Sequence, residues 1–167
     1  GDGRIDLTVW RPGDGTWYIR RSATGFSDYI ALRWGAGTLG DVPVPADYDG
    51  DGRTDAAVWR PGDGTWYVLR SAAEFGDSLV VQWGAGALGD VPVPADYDGD
   101  RRTDIAVWRP GDGTWYILLS SRGYSRSSPL TSQWGAGSQD DVPVAADYDG
   151  DGRADVAVWR PAGGHWY

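Results

Sequence analysis

Short apolar runs separated by polar turns recur along the whole chain, and no eleven-residue window has the apolar spacing of a helix. Residues 55–60 and 65–70 are rich in Ala, Val, Trp and Tyr, and a Pro-Gly-Asp-Gly turn separates them. Such runs, bounded by Gly and Pro, are typical of β-strands. Two further strands are predicted at residues 79–83 and 91–97. Two prolines in the last run lack the N–H that a ladder needs, which argues for a strand that lies at a sheet edge or is only partly paired.

The first two of these strands are predicted to form a hairpin with facing tryptophans. If the turn closes the hairpin, Arg60 lies opposite Thr65 and Trp59 lies opposite Trp66. A cross-strand aromatic pair contributes about 0.5–1.5 kcal/mol beyond the burial of its area. The other units offer the same pairing, as Trp10 with Trp17, Trp108 with Trp115, and Trp159 with Trp166.

The hairpin belongs to an internal repeat. Its first tryptophan recurs at steps of 49, 49 and 51 residues. The two extra residues fall between Leu119 and Gln133, in a stretch of Ser, Arg, Gly and Pro that predicts a surface loop. Four strands in about 49 residues match the blade of a β-propeller. A β-helix would need a shorter repeat, and the near-identity of the units disfavours a sandwich.

We therefore predict an all-β chain, a β-propeller of four-stranded blades with about 3.5 blades. One domain would span residues 1–167, with repeats at approximately 1–46, 47–95, 96–146 and 147–167, the first and last incomplete. This is fewer blades than a closed ring needs. We expect either a fragment of a longer protein or a homo-oligomer that completes the ring.

An aspartate-rich loop precedes each hairpin. Residues 47–55 place carboxylates at positions 1, 3, 5 and 9, with Gly at positions 4 and 6. Four such charges repel one another strongly unless a cation lies between them. Oxygen-only, carboxylate-rich coordination favours Ca²⁺ over Zn²⁺ or a redox metal. The loop recurs at residues 96–104 and 147–155, and its second half opens the chain. We expect about three Ca²⁺ sites.

An EF-hand does not explain these loops. Its D-x-D-x-D-G start fits, but an EF-hand also requires a glutamate at position 12 and flanking helices. Position 12 is Val58, Val107 or Val158 here, and a β-patterned run follows each loop.

Charge and composition narrow the function. The net charge is −9, and fourteen of the 24 acidic residues lie in the aspartate loops, so the acidity reflects the metal sites. No basic stripe is present, which argues against a nucleic-acid partner. The chain has no cysteine and no apolar run of membrane-spanning length. A secretion signal would have to lie on a longer precursor or have been removed.

The residues resemble a known family. Asp-x-Asp-Gly-Asp-Gly, followed by an Ala-Val-aromatic-Arg-Pro strand and Gly-Thr-Trp-Tyr, is similar to bacterial FG-GAP/VCBS repeats, which are related to the propeller of integrin α subunits. The resemblance implies a calcium-loaded extracellular propeller with roles in adhesion or glycan binding, or as an accessory module of secreted enzymes. It implies carboxylate ligands and one backbone carbonyl, from Arg, in each loop. The implied sets are Asp47, Asp49, Asp51, Arg53 and Asp55; Asp96, Asp98, Asp100, Arg102 and Asp104; and Asp147, Asp149, Asp151, Arg153 and Asp155.

Two departures from the pattern weaken particular sites. Arg101 stands at position 6 of the second loop, where the turn is expected to need a positive φ and therefore glycine. The opening half-loop supplies only Asp2, Arg4 and Asp6, so we expect a weak partial site there.

No catalytic residue is predicted. The only Glu (Glu74) and the only His (His165) are expected to be exposed, and the one unassigned acidic pair, Asp140 and Asp141, would point apart on a strand. We therefore predict a non-catalytic, secreted or cell-surface binding module, most simply lectin-like. The alternative is a structural or targeting module in which Ca²⁺ only rigidifies the blades.

Ligand contact is assigned to three tryptophans beside Gly-Ala-Gly, with blade-to-blade packing as the competing interpretation. They are Trp34, Trp83 and Trp134. The arginine of each Trp-Arg-Pro is interpreted as a clamp for an anionic sugar, as stacking on Trp, or as paired with a loop Asp.

Overall fold

The computed structural model describes residues 4–167, and these residues contain no α-helix. In this described part of the chain, fourteen strands form four small antiparallel sheets, none of which closes on itself. The first sheet contains β1 (Leu7–Arg11), β2 (Thr16–Arg20) and β3 (Tyr29–Arg33), and the second β4 (Val42–Pro43), β5 (Ala56–Arg60), β6 (Thr65–Arg70) and β7 (Asp77–Gln82). The third contains β8 (Val91–Pro92), β9 (Ile105–Arg109), β10 (Thr114–Leu118) and β11 (Leu130–Gln133), and the fourth β12 (Val142–Pro143), β13 (Val158–Arg160) and β14 (His165–Trp166). Short 3-10 turns lie at Ser22–Thr24, Gly37–Leu39, Gly86–Leu88, Ser120–Arg122 and Gly137–Gln139.

The predicted fold class is therefore confirmed as all-β, with sheets consistent with the blades of a β-propeller. In each complete sheet the strands lie in chain order, so that β4, β5, β6 and β7 are successive neighbours.

The predicted hairpin register is confirmed in all four sheets. Trp59 lies opposite Trp66, and Arg60 lies opposite Thr65. The indole rings of Trp59 and Trp66 are 6.5 Å apart at a tilt of 46°. Gly64 closes the turn with a φ of 69°, and a Cβ there would clash with the carbonyl oxygen of Gly84. The other three tryptophan pairs have the same register.

The fourth predicted strand is shorter than expected, and its partner is a strand of the following repeat. It covers Val91–Pro92 rather than residues 91–97, and it pairs with β9 of the following repeat. Beyond it, the N–H of Val93 donates to the Ala106 carbonyl and Ala95 forms an isolated bridge with Asp104. Prolines at 92 and 94 remove the alternate donors, so a full ladder cannot form. The strand lies at a sheet edge, as predicted.

Neighbouring sheets pack through two different faces. The tryptophan face carries the paired tryptophans of one sheet, such as Trp59 and Trp66. The valine face carries the apolar residues on the long strand of the next sheet, such as Ile105 and Val107. These four side chains are buried in one cluster. The corresponding residues also join the first sheet to the second, and the third to the fourth. The valine-face residues are Leu7 and Val9, Ala56 and Val58, Ile105 and Val107, and Val156 and Val158.

Candidate metal sites

Each aspartate loop connects the short inner strand of a sheet to the long strand beside it. An antiparallel bridge between Ala46 and Asp55 draws the ends of the first loop together. The equivalent bridges are Ala95 with Asp104 and Ala146 with Asp155. The loop is therefore a hairpin connection within one sheet, anchored at both ends by pairing.

Three carboxylates converge in every complete loop. In the first loop, Asp47, Asp49 and Asp55 each place one oxygen within 4.8 Å of the others. The equivalent trios are Asp96, Asp98 and Asp104, and Asp147, Asp149 and Asp155. Three carboxylate oxygens this close form a donor set that suits a hard divalent cation.

Main-chain amides hold these carboxylates in place. The two oxygens of Asp47 accept hydrogen bonds from the N–H groups of Gly50 (2.7 Å) and Gly52 (2.9 Å). Those of Asp55 accept from Tyr48 (2.9 Å) and Ser71 (2.7 Å). These hydrogen bonds orient the carboxylates, and such support is what a metal site requires of the groups around its ligands.

Burial disfavours the charge on the last carboxylate of the loop. Asp104 is fully buried, and this burial raises its pKa to about 6, although hydrogen bonds from Ser120 and Tyr97 oppose the rise. The pKa of Asp55 is raised for the same reason. The nearest arginine in the first loop, Arg53, pairs with Asp51 (2.8 Å) and Glu74 (3.3 Å) instead of with the trio. A divalent cation at the trio would compensate the buried charge, so the residues fit the expected Ca²⁺.

The remaining predicted ligands lie outside these trios. Asp51 accepts hydrogen bonds from the Arg53 side chain and from the Ser71 hydroxyl (3.1 Å). Asp100 accepts from the Arg102 N–H and the Ser120 hydroxyl, and Asp151 accepts from the Arg153 N–H. The carbonyl ligands predicted at Arg53, Arg102 and Arg153 stay a prediction.

Successive loops contact each other, which the sequence did not reveal. The N–H of Thr103 donates to the Asp47 carbonyl, and that of Ala154 donates to the Asp96 carbonyl, both at 2.7 Å. The Arg102 side chain lies against Gly50, so a Cβ at Gly50 would come within 2.9 Å of its Cγ. Each of the first two loops is therefore braced by the loop that follows it.

The structure confirms the conformation predicted for position 6. Arg101 has a φ of 66°, and the glycines at the same position, Gly52 and Gly152, have φ values of 79° and 86°. An arginine thus adopts a left-handed conformation that favours glycine.

The partial site is only partly covered by the structure. Asp2 lies outside the described residues. Asp6 accepts hydrogen bonds from the N–H and the hydroxyl of Ser22, both at 2.8 Å. Arg4 lines a cavity with Ile5 and Asp6. Asp6 therefore keeps the contact with a serine N–H that Asp55 and Asp104 make.

Two of the three candidate ligand-binding tryptophans, Trp34 and Trp83, belong to the packing between sheets. The indole N–H of Trp34 donates to the Tyr67 carbonyl of the next sheet, and that of Trp83 donates to the Tyr116 carbonyl, both at 3.0 Å. Their own carbonyl oxygens accept from the paired tryptophans, as Trp34 does from Trp10 and Trp17. Trp134 accepts in the same way and is more exposed than the other two.

Pairing with a loop Asp, one of the three interpretations of the Trp-Arg-Pro arginines, is confirmed in three of the sheets, where the partner is a buried aspartate. Arg60 donates two hydrogen bonds, of 2.7 and 2.9 Å, to the Asp41 carboxylate. Its guanidinium also stacks over the Tyr67 ring, 4.6 Å from the ring centroid. The equivalent pairs are Arg109 with Asp90 and Arg160 with Asp141. The arginines thus pair with a loop Asp and stack on Tyr rather than on Trp. The sequence signal for the aspartate partner was its constant position, directly before each Val-Pro and nineteen residues before the arginine.

The placement of Asp140 and Asp141 on a strand was wrong. Asp140 ends the turn Gly137–Gln139 with a φ of 56°, and the buried Asp141 pairs with Arg160. Hydrogen bonds hold this turn, from the Gln139 N–H to the Ala136 carbonyl and from the Asp140 N–H to the Gly137 carbonyl. Glu74 and His165 are exposed, as expected.

A cavity of about 390 Å³ lies between the second and third sheets. It is lined by residues 82–85, by Val107, Arg109 and Tyr116, and by Arg126. A smaller cavity of about 240 Å³ repeats part of this lining at Trp134, Arg160 and Tyr167. Aromatic side chains beside a guanidinium group therefore line both cavities.

Comparison with known proteins places the chain in a family. A model of the FG-GAP-like repeat matches residues 1–58, 47–107 and 96–158. No curated protein and no solved structure matches the chain. Within residues 4–167, no helix is long and apolar enough to cross a membrane. Because the three matches together span residues 1–158, the chain belongs to the FG-GAP-like repeat family.

Proposed function

We propose that the chain is a calcium-dependent binding module in which each complete aspartate loop holds one Ca²⁺. The observation that carries this proposal is the convergence of three carboxylate oxygens within 4.8 Å in each of the three loops. Asp47, Asp49 and Asp55 would hold the ion in the first loop, with the equivalent residues in the others. When bound, Ca²⁺ would supply positive charge that stabilises the loop. It would take no part in making or breaking a covalent bond.

Thermal unfolding with and without a chelator tests this proposal. We expect the melting temperature to fall substantially on chelation. Without Ca²⁺ the clustered carboxylates of each loop repel one another, and this repulsion destabilises the folded chain. Asp49→Asn should lower the number of bound Ca²⁺ by one. Asp63→Asn is the matched control, because Asp63 accepts a turn hydrogen bond from Thr65 outside the loops. An unchanged melting temperature on chelation would contradict the proposal.

We propose further that the module binds a glycan outside the cell. FG-GAP-like repeats are generally non-catalytic modules and usually extracellular. Extracellular Ca²⁺ modules work with dissociation constants of about 10⁻⁴–10⁻³ M, so loops of modest affinity would be filled there. The cavity between the second and third sheets supports the glycan assignment. Trp83 and Tyr116 offer apolar ring surface, and Gln82 and Arg126 offer hydrogen-bond donors.

A glycan array run with Ca²⁺ and with chelator tests the ligand class. We expect binding that requires Ca²⁺ and that falls in Arg126→Ala. Arg122→Ala is the control, because Arg122 is exposed on the same loop but does not line the cavity. Absence of glycan binding together with a large Ca²⁺-dependent rise in melting temperature would favour the alternative, a structural or targeting module. Turnover of a polysaccharide would favour an enzyme.

A further inference from the structure

The cavity between the second and third sheets is lined by two arginines. Arg109 and Arg126 both belong to its lining, and none of the described lining residues is acidic. The buried Asp90 pairs with Arg109 nearby, but its two oxygens already accept hydrogen bonds from that arginine and from the Ala85 N–H. Because Trp83 also lines the cavity, positive charge lies beside aromatic surface there.

Arg109 has one nitrogen that a ligand could use. Its Nε and Nη2 donate to Asp90 at 2.7 and 2.9 Å. In the first and second sheets, Nη1 of the equivalent arginine donates to a tyrosine hydroxyl. These pairs are Arg11 with Tyr18, at 2.9 Å, and Arg60 with Tyr67, at 3.2 Å. In the third sheet the Tyr116 hydroxyl donates to Asp112 instead, at 3.1 Å, so Nη1 of Arg109 has no hydrogen-bond partner within residues 4–167.

Arg126 lies on a loop whose charge differs from that of its counterparts. In the first and second sheets, the arginine that follows the second strand or ends it pairs with an aspartate further along the loop. These pairs are Arg21 with Asp28 and Arg70 with Asp77. In the third sheet Leu119 takes the position of that arginine, and residues 119–133 contain no acidic residue. Arg126 is exposed, and it forms no ion pair or hydrogen bond with the other residues that the structure describes.

We propose that this cavity binds a glycan that carries a carboxylate, as a uronic acid does. The inference rests on the proposed glycan function and names its ligand class. A guanidinium group binds a carboxylate through strong, charge-assisted hydrogen bonds. Arg126 would donate to the carboxylate, and Nη1 of Arg109 would be a further donor. The rings of Trp83 and Tyr116 would pack against the apolar face of the sugar. A neutral sugar would leave the charge of Arg126 without a partner.

Paired acidic and neutral glycans test this ligand class. The probes are trisaccharides of galacturonate and of glucuronate, each compared with its methyl ester, which keeps the sugar but removes the negative charge. Dissociation constants are measured at one fixed Ca²⁺ concentration. We expect at least one acid to bind about tenfold more tightly than its ester, because the ester cannot accept charge-assisted hydrogen bonds.

Variants of Arg126 show whether the cavity makes this distinction. Arg126→Ala should weaken binding of the acid about tenfold and leave binding of the ester unchanged. Arg126→Lys should keep part of the preference, because it keeps the charge but loses the planar fork. Arg20→Ala is the matched control, since Arg20 is exposed, carries the same charge and does not line the cavity. Circular dichroism checks that every variant is folded.

The outcomes separate this inference from the function on which it rests. Equal affinity for each acid and its ester, or binding of neutral glycans alone, would overturn the inference and leave the proposed glycan function intact. Acid binding that Arg126→Ala leaves unchanged would also overturn it, because the carboxylate would then bind elsewhere, for example at Ca²⁺. Absence of binding to every acidic and neutral glycan would contradict both.

Discussion

The second and third aspartate loops have nearly the same sequence and much the same internal hydrogen bonds, yet their surroundings differ. In residues 96–104 the N–H of Tyr97 donates to Asp104 at 2.8 Å, and in residues 147–155 that of Tyr148 donates to Asp155 at 2.9 Å. Tyr97 is nevertheless buried while Tyr148 is exposed. The comparison teaches that the loop shape is encoded locally, whereas the next sheet and the next loop supply the burial.

Removing the last carboxylate should reveal this difference most strongly. Asp104 is fully buried and also accepts from the Ser120 N–H, so Asp104→Ala leaves two main-chain donors without a partner. We expect Asp104→Ala to cost about 3–5 kcal/mol and Asp155→Ala about 1–2 kcal/mol. Urea unfolding in Ca²⁺ measures both. Equal losses would show that the enclosure of the second loop contributes nothing.

The pair between a Trp-Arg-Pro arginine and its buried aspartate, here called the arginine clamp, offers the same comparison between the enclosed third sheet and the outer first sheet. Arg109→Lys removes the paired hydrogen bonds that the guanidinium donates to the buried Asp90. It should lower the free energy of unfolding by about 2 kcal/mol. Arg11→Lys alters an exposed pair with Asp14 (3.5 Å) and should cost less than about 0.5 kcal/mol. Denaturant midpoints of the two variants measure the difference. A loss at Arg11 as large as that at Arg109 would contradict the assignment of the clamp.

The clamp of the fourth sheet should also depend on pH. The Arg160 side chain holds the pKa of Asp141 below its ordinary value through hydrogen bonding. A lowered folded-state pKa gives stability that is present above the unfolded-state pKa of about 3.9 and is lost as the pH falls through the folded value.

Asp141→Asn should therefore cost about 1–2 kcal/mol at pH 6 and much less at pH 3. Unfolding free energies at the two pH values, both measured in chelator, test this. A loss that is equal at both would mean that the carboxylate charge has no part in the clamp.

Substitutions at position 6 of the loops are expected to have the smallest effect on stability and Ca²⁺ binding. Arg101 holds a φ of 66°, so Arg101→Gly should relieve about 1 kcal/mol of strain and tighten Ca²⁺ binding at the second loop. The reverse change in the third loop, Gly152→Arg, should weaken that loop by a similar amount. Calcium titrations of both variants measure the changes. Weaker binding by Arg101→Gly would show that the arginine contributes to the site.

The hairpins and loops could be predicted because their determinants are local. The turn sets Trp59 opposite Trp66, and the spacing of the aspartates sets the trio. It was harder to predict which four consecutive strands form one sheet, because a repeated sequence does not show at which strand a sheet begins. The pairing of Val91–Pro92 with the following repeat and the grip of Arg60 on Asp41 both join residues distant in sequence. Neither leaves a periodic signal within a single strand.

Isothermal titration of the chelator-treated chain with Ca²⁺ tests the central claim most directly. Three carboxylate trios predict three bound Ca²⁺ per chain. A titration without binding heat, accompanied by an unchanged melting temperature, would contradict the assignment of the loops as calcium sites.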